Sequence, residues 1–433
     1  MNTRLSQMPS EGLCYQPQDP VYANPRSTEL ELNRVLDICA GCRLCFNLCP
    51  SFPALFRFVD GHDGETAALT PREKRTVVDL CYQCGLCNLK CPYTPRDKHE
   101  FQLDFPALML RVKAMYAARH GVGLAKNLLT RPDLLAALAR PSMGMANWAN
   151  RFPPFRWLLQ ALLGVHRAKR LPSFARQPLM ARLKGNTHHA PGGEPTAKAV
   201  LFATCFVNHN NPGIGLAALE VLAKNNVETE VYYQGCCGMP ALEVGDLPRA
   251  KTMAESNVAG LLPWVDKGYS LLFLNPSCAL MMGHKYPLLL GGDGVTRVAA
   301  AVKDLGVFLK ELHGQGKLNT NFRSSPGPVA YHAPCHLRIQ GVGMPFRDVL
   351  KQVKGAQVST VAECSCHDGT WAMDKRFFHL SMTWGKKAFA GVEAAPGVAA
   401  SDCPLAAVQL AQGTGRQVAH PVEVLAQAYH DKP

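Results

Sequence analysis

A cysteine pattern that occurs twice limits this chain more than any other feature. Cys39, Cys42, Cys45 and Cys49 precede Pro50, and Cys81, Cys84, Cys87 and Cys91 precede Pro92, so both runs read C-x2-C-x2-C-x3-C-P. Thiolates two residues apart can wrap one iron–sulfur cubane, and the fourth, at a proline that turns the chain, is thrown toward a second cluster. Zinc is the rival metal, but closed zinc sites do not need this run twice. The spacing predicts two [4Fe–4S] clusters.

The repeat extends beyond the ligands. Thr28-Glu-Leu-Glu31 and Thr70-Pro-Arg-Glu73 both read as capping boxes, opening helices that run to Cys39 and Cys81. Val35, Asp37 and Ile38 then correspond to Val77, Asp79 and Leu80, so helix and cluster loop are duplicated together. Phe52, Phe56 and Phe58 in the connector either wall a cluster from water or pack on the helices. Residues 26–116 are expected to form a small all-helical domain. Residues 1–25 are polar and proline-rich, without an apolar signal segment, and are expected to be a tail or a strap over that domain.

A chain of 433 residues calls for several domains. Seventeen cysteines, mostly clustered, read as thiols kept reduced for metal, which places the chain in the cytoplasm. Cys14 stands alone and reads as a small buried hydrophobe. No apolar run approaches the roughly 18 residues that a membrane span needs. The net charge of +13 is localised: residues 96–184 hold 16 Lys or Arg against 4 Asp or Glu, and the remainder holds 30 against 29. This pattern argues against a nucleic-acid binder and for a patch that meets an acidic partner or a membrane surface.

Residues 117–195 read as a basic helical connector. Apolar positions 155, 158, 159, 162 and 163 share a helical face, followed by a basic run through Arg167, Lys169 and Arg170. Such a helix rests on a membrane or partner, or faces a core with a solvated basic end. Thr187–Pro195 reads as a hinge with His188 and His189 exposed. Buried-type strands then alternate with helices, and each strand ends at cysteine: Cys205, Cys236 with Cys237, and Cys278, then Cys335, Cys364 with Cys366, and Cys403. Residues 196–320 and 321–433 are therefore expected to be two repeated α/β domains whose thiols meet at strand ends, where open parallel sheets collect ligands. Gly213-Ile-Gly215-Leu-Ala-Ala218, with Glu228 and Glu230 downstream, imitates a dinucleotide fingerprint, but the turn before it is too long.

Across almost its whole length the chain resembles iron–sulfur subunits in which a ferredoxin-like two-cluster domain precedes two cysteine-rich "CCG" domains. The eight-cysteine signature carries the resemblance, with Gly235-Cys236-Cys237-Gly238 and His332-Ala-Pro-Cys335-His336. The iron–sulfur subunits of anaerobic glycerol-3-phosphate dehydrogenase and of glycolate oxidase, and those of heterodisulfide reductase, are similar. The resemblance implies one cluster on Cys39, Cys42, Cys45 and Cys91 and another on Cys81, Cys84, Cys87 and Cys49, with Leu44, Phe46 and Leu86 as apolar neighbours. It implies an additional cluster or redox site at Cys205, Cys236, Cys237, Cys278, Cys335, Cys364, Cys366 and Cys403. It further implies electron transfer from a flavoprotein dehydrogenase subunit toward quinone or another acceptor, with no flavin or NAD on this chain, at the inner face of the cell membrane through residues 96–184. The alternatives are a thiol/disulfide enzyme of the heterodisulfide reductase kind and a redox-sensing metalloprotein. Cys364-Ser365-Cys366 departs from Cys-Cys-Gly, and both repeats end in a single cysteine.

Overall fold

The computed structural model describes residues 7–190 and 192–431. They fall in two compact units: residues up to Gly123 together with Pro240–Arg249, and Leu124–Met239 together with Ala250 onward. The sequence-based boundary at 195/196 lies inside the second unit, and the short piece 240–249 belongs to the first.

The first unit is helical: α1 (Pro25–Cys42), α2 (Ser51–Asp60), α3 (Pro71–Leu80), α4 (Leu86–Lys90) and α5 (Phe105–His120). Helix α3 begins as expected, with Thr70 and Glu73 closing a capping box. Helix α1 does not. It starts one turn earlier behind Asn24, whose side chain accepts from the Ser27 N–H, and Pro25 supplies a preset φ at the first position. Thr28 is buried inside the helix and donates to the Asn24 carbonyl at 2.8 Å, and Glu31 is taken by Arg34 at 2.7 Å. The capping-box reading of Thr28–Glu31 is therefore corrected: a better cap and a proline upstream outcompete it. Helix α1 also runs beyond Cys39 and closes at Arg43 in the left-handed region. The apolar correspondence persists, since Val35 and Val77 are both fully buried, as are Leu36, Leu55 and Leu108. Burying each such side chain contributes about 1.5–3 kcal/mol.

The N-terminal segment is a strap. The Arg111 guanidinium of α5 donates to the carbonyls of Gly12 (2.6 Å), Cys14 (3.2 Å), Val21 (2.6 Å) and Tyr22 (3.0 Å). Cys14, buried as expected, packs with Tyr22, Ala114 and Leu247.

The second unit begins with helices α6 (Leu124–Leu129), α7 (Pro132–Ala139), α8 (Met145–Ala149) and α9 (Pro153–Leu163). The helix expected over 155–170 stops at Gly164, which has φ +65°. Its continuation is pinned instead: Val165 bridges Asp374, His166 N–H donates to the Met373 carbonyl at 2.8 Å, and Lys169 is buried. The solvated basic run is thus corrected at Lys169, whose ammonium donates to Gln409.

After α10 (Leu179–Leu183) come two sheets. The first contains β1 (His188–His189), β2 (Ala197–Phe202), β3 (Val227–Tyr232), β4 (Ser270–Phe273) and β5 (Val302–Asp304), in order β1-β3-β2-β4-β5. All pairings are parallel except that of β1, which lies antiparallel on β3. The expected hinge at His188 and His189 is therefore an edge strand: His188 pairs with Glu230, and His189 is only half-exposed. The second sheet contains β6 (Pro328–His332), β7 (Gln357–Val361), β8 (Val398–Ser401) and β9 (Val418–Ala419), all parallel, in order β7-β6-β8-β9. This order repeats β3-β2-β4-β5.

The two sheets share one hydrophobic core. Leu201, Leu272, Phe308, Tyr331, Phe346 and Leu425 belong to a single buried cluster. The fingerprint glycines Gly213 and Gly215 lie within helix α12 (Pro212–Lys224), where Gly215 faces Leu179 so closely that a Cβ would come within 2.4 Å of it. No helix among the described residues is long and apolar enough to cross a membrane.

Replacing Arg111 with Ala is expected to cost about 3 kcal/mol, because several buried carbonyls lose their donor. Limited proteolysis should then cut the 7–24 strap much faster than in the parent chain. Equal cleavage rates would show that the strap is held by other contacts.

Candidate iron–sulfur and cysteine-rich sites

The first unit brings the eight thiols of the two runs to helix ends and tight loops. Cys39 and Cys42 ride on the last turn of α1, Cys81 caps α3, Cys87 lies in α4 and Cys91 caps it. Gln83 and Gly85 adopt positive φ between Cys81 and Cys87, folding that loop tightly. Of the expected apolar neighbours, Leu86 is buried, whereas Leu44 and Phe46 are exposed; Phe46 stacks on Phe56 at 6.2 Å.

Electrostatics shows which thiols face each other. Burial raises the Cys39 thiol first, and then Cys45, Cys91 and Cys42 raise it further. Burial followed by Cys91 and Cys42 pushes Cys45 up to about 11. Cys87 is raised by burial and then by Cys49, Cys81 and Cys45. The fourth cysteine of each run therefore stands near the thiols of the other run. None of these cysteines is in a disulfide. Among the described residues no three His, Cys, Asp or Glu side chains surround a single metal ion. Two sets of four thiols match the donor chemistry of cubane clusters, which are larger than one ion and take thiolate at each corner.

In the second unit the carboxyl edge of the first sheet gathers Cys205, Cys236, Cys237 and Cys278. Cys205 opens the short helix α11 (Cys205–His209) behind β2, Cys236 and Cys237 follow β3, and Cys278 lies in the helix after β4. The thiols are hydrogen-bonded to one another, Cys237 Sγ lying 3.3 Å from Cys278 Sγ. Cys236 takes a hydrogen bond from Cys205 and another from Cys237, and these hold it well below the usual thiol value. The hydrogen bond to Cys236 raises Cys205 and Cys237 in return, with burial adding to both. The hydrogen bonds of the set thus converge on Cys236.

Its surroundings contain residues that sequence reasoning did not find. Asp133, in the first turn of α7, accepts from the Cys236 N–H at 3.0 Å, from the Tyr233 hydroxyl and from His209 Nε2 at 2.9 Å. Burial raises this carboxyl, but the bonds from His209, Tyr233 and Cys236 outweigh it and hold the carboxyl below the usual range. Asn257 Nδ2 donates to the Cys236 carbonyl at 3.2 Å and Tyr286 to the Cys237 carbonyl at 2.8 Å. Asp133 is one of four acids in the 96–184 segment. That scarcity was the only signal, and it did not say where the residue points.

The second sheet gathers Cys335, Cys364, Cys366 and Cys403 at the same edge. Cys335 is raised by burial and then by Cys364, Asp368 and Cys403. Gly238, two residues after Cys236, has φ +89°, and Cys366, two residues after Cys364, has φ +53°. Ser365 thus stands where Cys237 stands in the first sheet, and Cys366 occupies a left-handed position suited to glycine, a conformation that costs a non-glycine residue about 1–3 kcal/mol. The Ser381 hydroxyl donates to the Cys366 carbonyl at 2.6 Å, and Gln409 Nε2 donates to Ser381 at 2.8 Å. The Lys169 ammonium reaches the same buried group. Burial brings it down to about 7, against the opposing pull of Cys366. The two edges meet: Ser277 Oγ and His336 Nδ1 lie 2.8 Å apart, and Cys278 adds to the burial that pushes Cys403 up to about 11.

Comparison with known proteins agrees with this division. Residues 35–95 match the 4Fe-4S dicluster domain, and residues 199–283 match the cysteine-rich domain called CCG. The chain carries both domains. It is 24% identical over 328 residues to the C subunit of anaerobic glycerol-3-phosphate dehydrogenase from Escherichia coli (strain K12), covering 74% of this chain and 81% of that one. It is 29% identical over 187 residues to lactate utilization protein A of Geobacillus thermodenitrificans, covering 41% and 74%. It is 29% identical over 170 residues to the B subunit of fumarate reductase (CoM/CoB) from Methanothermobacter marburgensis, covering 38% and 31%.

Replacing Asp133 with Asn is expected to lower the melting temperature near neutral pH by a few degrees. The folded-state pKa of Asp133 is depressed, so its contribution is present above the unfolded carboxyl value and lost as pH falls through the folded one. The difference between parent and variant should therefore shrink toward strongly acid pH. A difference independent of pH would show that the carboxylate charge is not what holds Cys236 and His209.

Proposed function

We propose that this chain is an electron-transfer subunit in which Cys39, Cys42, Cys45 and Cys91 hold one [4Fe–4S] cluster and Cys81, Cys84, Cys87 and Cys49 hold another. The observation that carries the reading is the crossing of the fourth thiols, Cys91 beside Cys39 and Cys45 and Cys49 beside Cys87. The clusters supply one-electron chemistry when bound. The chain supplies thiolates, burial and backbone N–H groups, which tune potential without a general base. The electron donor would be a flavoprotein dehydrogenase subunit that oxidises glycerol 3-phosphate or a 2-hydroxy acid, a reading supported by the names of the relatives. The acceptor would be quinone or another carrier, with no flavin or NAD on this chain.

Residues 196–320 and 321–433 would be two cysteine-rich domains, a reading supported by their shared strand order. The hydrogen-bonded quartet Cys205, Cys236, Cys237 and Cys278 favours a further redox site there, either an additional cluster or the thiol/disulfide chemistry of a reductase. The second edge, with Ser365 in place of a cysteine, is less suited to the same ligand set.

A peripheral membrane position at the cytoplasmic face has its own support. Among the described residues, 10 of the 17 large apolar side chains that are exposed lie between Leu124 and Leu162. Acids are scarce in the same segment, which suits an anionic lipid surface, where each nearby basic residue contributes about 1 kcal/mol.

Anaerobically purified protein should be brown and hold about eight irons. Cys39→Ser and Cys91→Ser should remove the electron paramagnetic resonance signal of one cluster, and Cys49→Ser and Cys87→Ser that of the other; Cys91→Ser behaving like Cys87→Ser would overturn the crossed assignment. The chemically reduced protein should pass electrons to a one-electron dye, and its failure to do so would count against the relay. In flotation with phosphatidylglycerol vesicles, replacing Leu138, Leu158 and Leu162 with Ser should lower the bound fraction severalfold. Unchanged flotation would remove the membrane reading.

A further inference from the structure

The residue that follows the proline of each cysteine run differs between the two repeats. After Cys49-Pro50 it is Ser51, and after Cys91-Pro92 it is Tyr93. The Ser51 hydroxyl is spent on the backbone, donating to the Val77 carbonyl at 2.7 Å. Tyr93 meets thiols instead. Its hydroxyl is hydrogen-bonded to Cys42 of the first run, and that bond is the largest cause holding the phenol above its usual value. Its backbone N–H bonds to Cys91 of the second run, opposing the burial that raises that thiol. One residue therefore gives two donors to two thiols that belong to different runs.

The ring is held in place for this. It lies edge-on to His99 with centroids 4.9 Å apart and against Phe101 at 5.5 Å, and the Tyr93 carbonyl accepts from the Leu103 N–H at 2.8 Å. Thr94, the next residue, is buried and caps the turn Pro95–Asp97.

Exposure divides the eight thiols as the crossed fourth ligands do. Cys42 is exposed and Cys39, Cys45 and Cys91 are half-buried, whereas Cys49, Cys81, Cys84 and Cys87 are all buried. Leu44 and Phe46, between Cys42 and Cys49 in the chain, are exposed as well. The buried set has a side-chain donor of its own, Gln83 Nε2 at 3.5 Å from Cys81 Sγ. Reduction adds negative charge to a centre already made anionic by its thiolates. Hydrogen bonds to sulfur and contact with water stabilise that charge and raise the potential, and burial lowers it. At the Tyr93 site both influences act upward. At the other site burial of all four thiols opposes the Gln83 bond.

We propose that Tyr93, acting through Cys42 and Cys91, sets the potential of the site formed with Cys39 and Cys45 and makes it the higher-potential site of the two. An added electron is then more stable at the solvent-facing set of thiols than at the buried one. The proposal rests on the two-cluster reading and deepens it by ordering the two sites. Packing against His99 and Phe101 would ask only for an aromatic ring, so Tyr93→Phe separates the hydroxyl from the ring.

The test is a redox titration of the full-length, cluster-loaded protein followed by electron paramagnetic resonance. The signal that Cys39→Ser removes should have the higher midpoint in the parent chain. In Tyr93→Phe that midpoint should fall by about tenfold in the reduction constant, about 59 mV for one electron, while the signal that Cys87→Ser removes stays where it was. Iron content should remain that of the parent. The inference is overturned if neither midpoint moves, if both move together, or if the Cys39-linked signal is the lower of the two in the parent. Cys39 and Cys42 share a run, so an error in the crossing of the fourth thiols leaves the result readable. Protein without iron would remove the cluster reading and this inference with it, whereas iron-loaded Tyr93→Phe with an unmoved midpoint removes the inference alone.

Discussion

Crowded, desolvated thiols are the constraint on which the rest of this protein depends. Each thiolate in such a group raises the proton affinity of its neighbours, and burial raises it again, as at Cys39 and Cys87. Without a compensating cation the groups stay protonated and contribute little. With iron they ionise together, and the free energy of metal binding becomes free energy of folding. The helical unit is organised to deliver thiols at short intervals: helix ends at Cys42, Cys81 and Cys91, and a left-handed loop at Gln83 and Gly85.

The second unit solves a related problem with a different architecture. Parallel strands place six cysteine-bearing chain exits at carboxyl edges, and the two edges approach each other where Ser277 meets His336. A single core spanning both sheets makes their mutual placement part of the fold rather than a matter of linker length. The edges are unequal: the first carries four hydrogen-bonded thiols braced by Asp133, and the second carries Ser365 and a cysteine held in a glycine-like conformation. Lys169, drawn from the connector, places a buried amine near the second edge. The connector therefore does more than bridge domains, because Asp133 serves one edge, Lys169 the other, and the remaining helices present the exposed apolar surface.

Much of this was legible along the chain. Eight cysteines at ligand spacing, the Val35–Val77 correspondence, the Thr70 capping box and the strand positions before Cys205, Cys236 and Cys278 are all local signals, because backbone geometry over a few residues dictates them. The errors were local competitions decided by neighbours. Asn24 with Pro25 displaced the Thr28 cap. Gly164 stopped a helix whose apolar spacing continued, and β3 offered an open edge that turned His188 and His189 from hinge into strand.

The sequence alone determined that metal-type thiols come in two duplicated runs, that α/β units follow, and that positive charge collects between them. These depend on spacing and composition. Tertiary structure alone decided that Asp133 reaches Cys236, that Lys169 lies buried beside His367, and that Cys366 adopts the left-handed backbone that glycine has in the other repeat. Each of these joins residues far apart in the chain or depends on one backbone dihedral, and linear spacing carries no information about either.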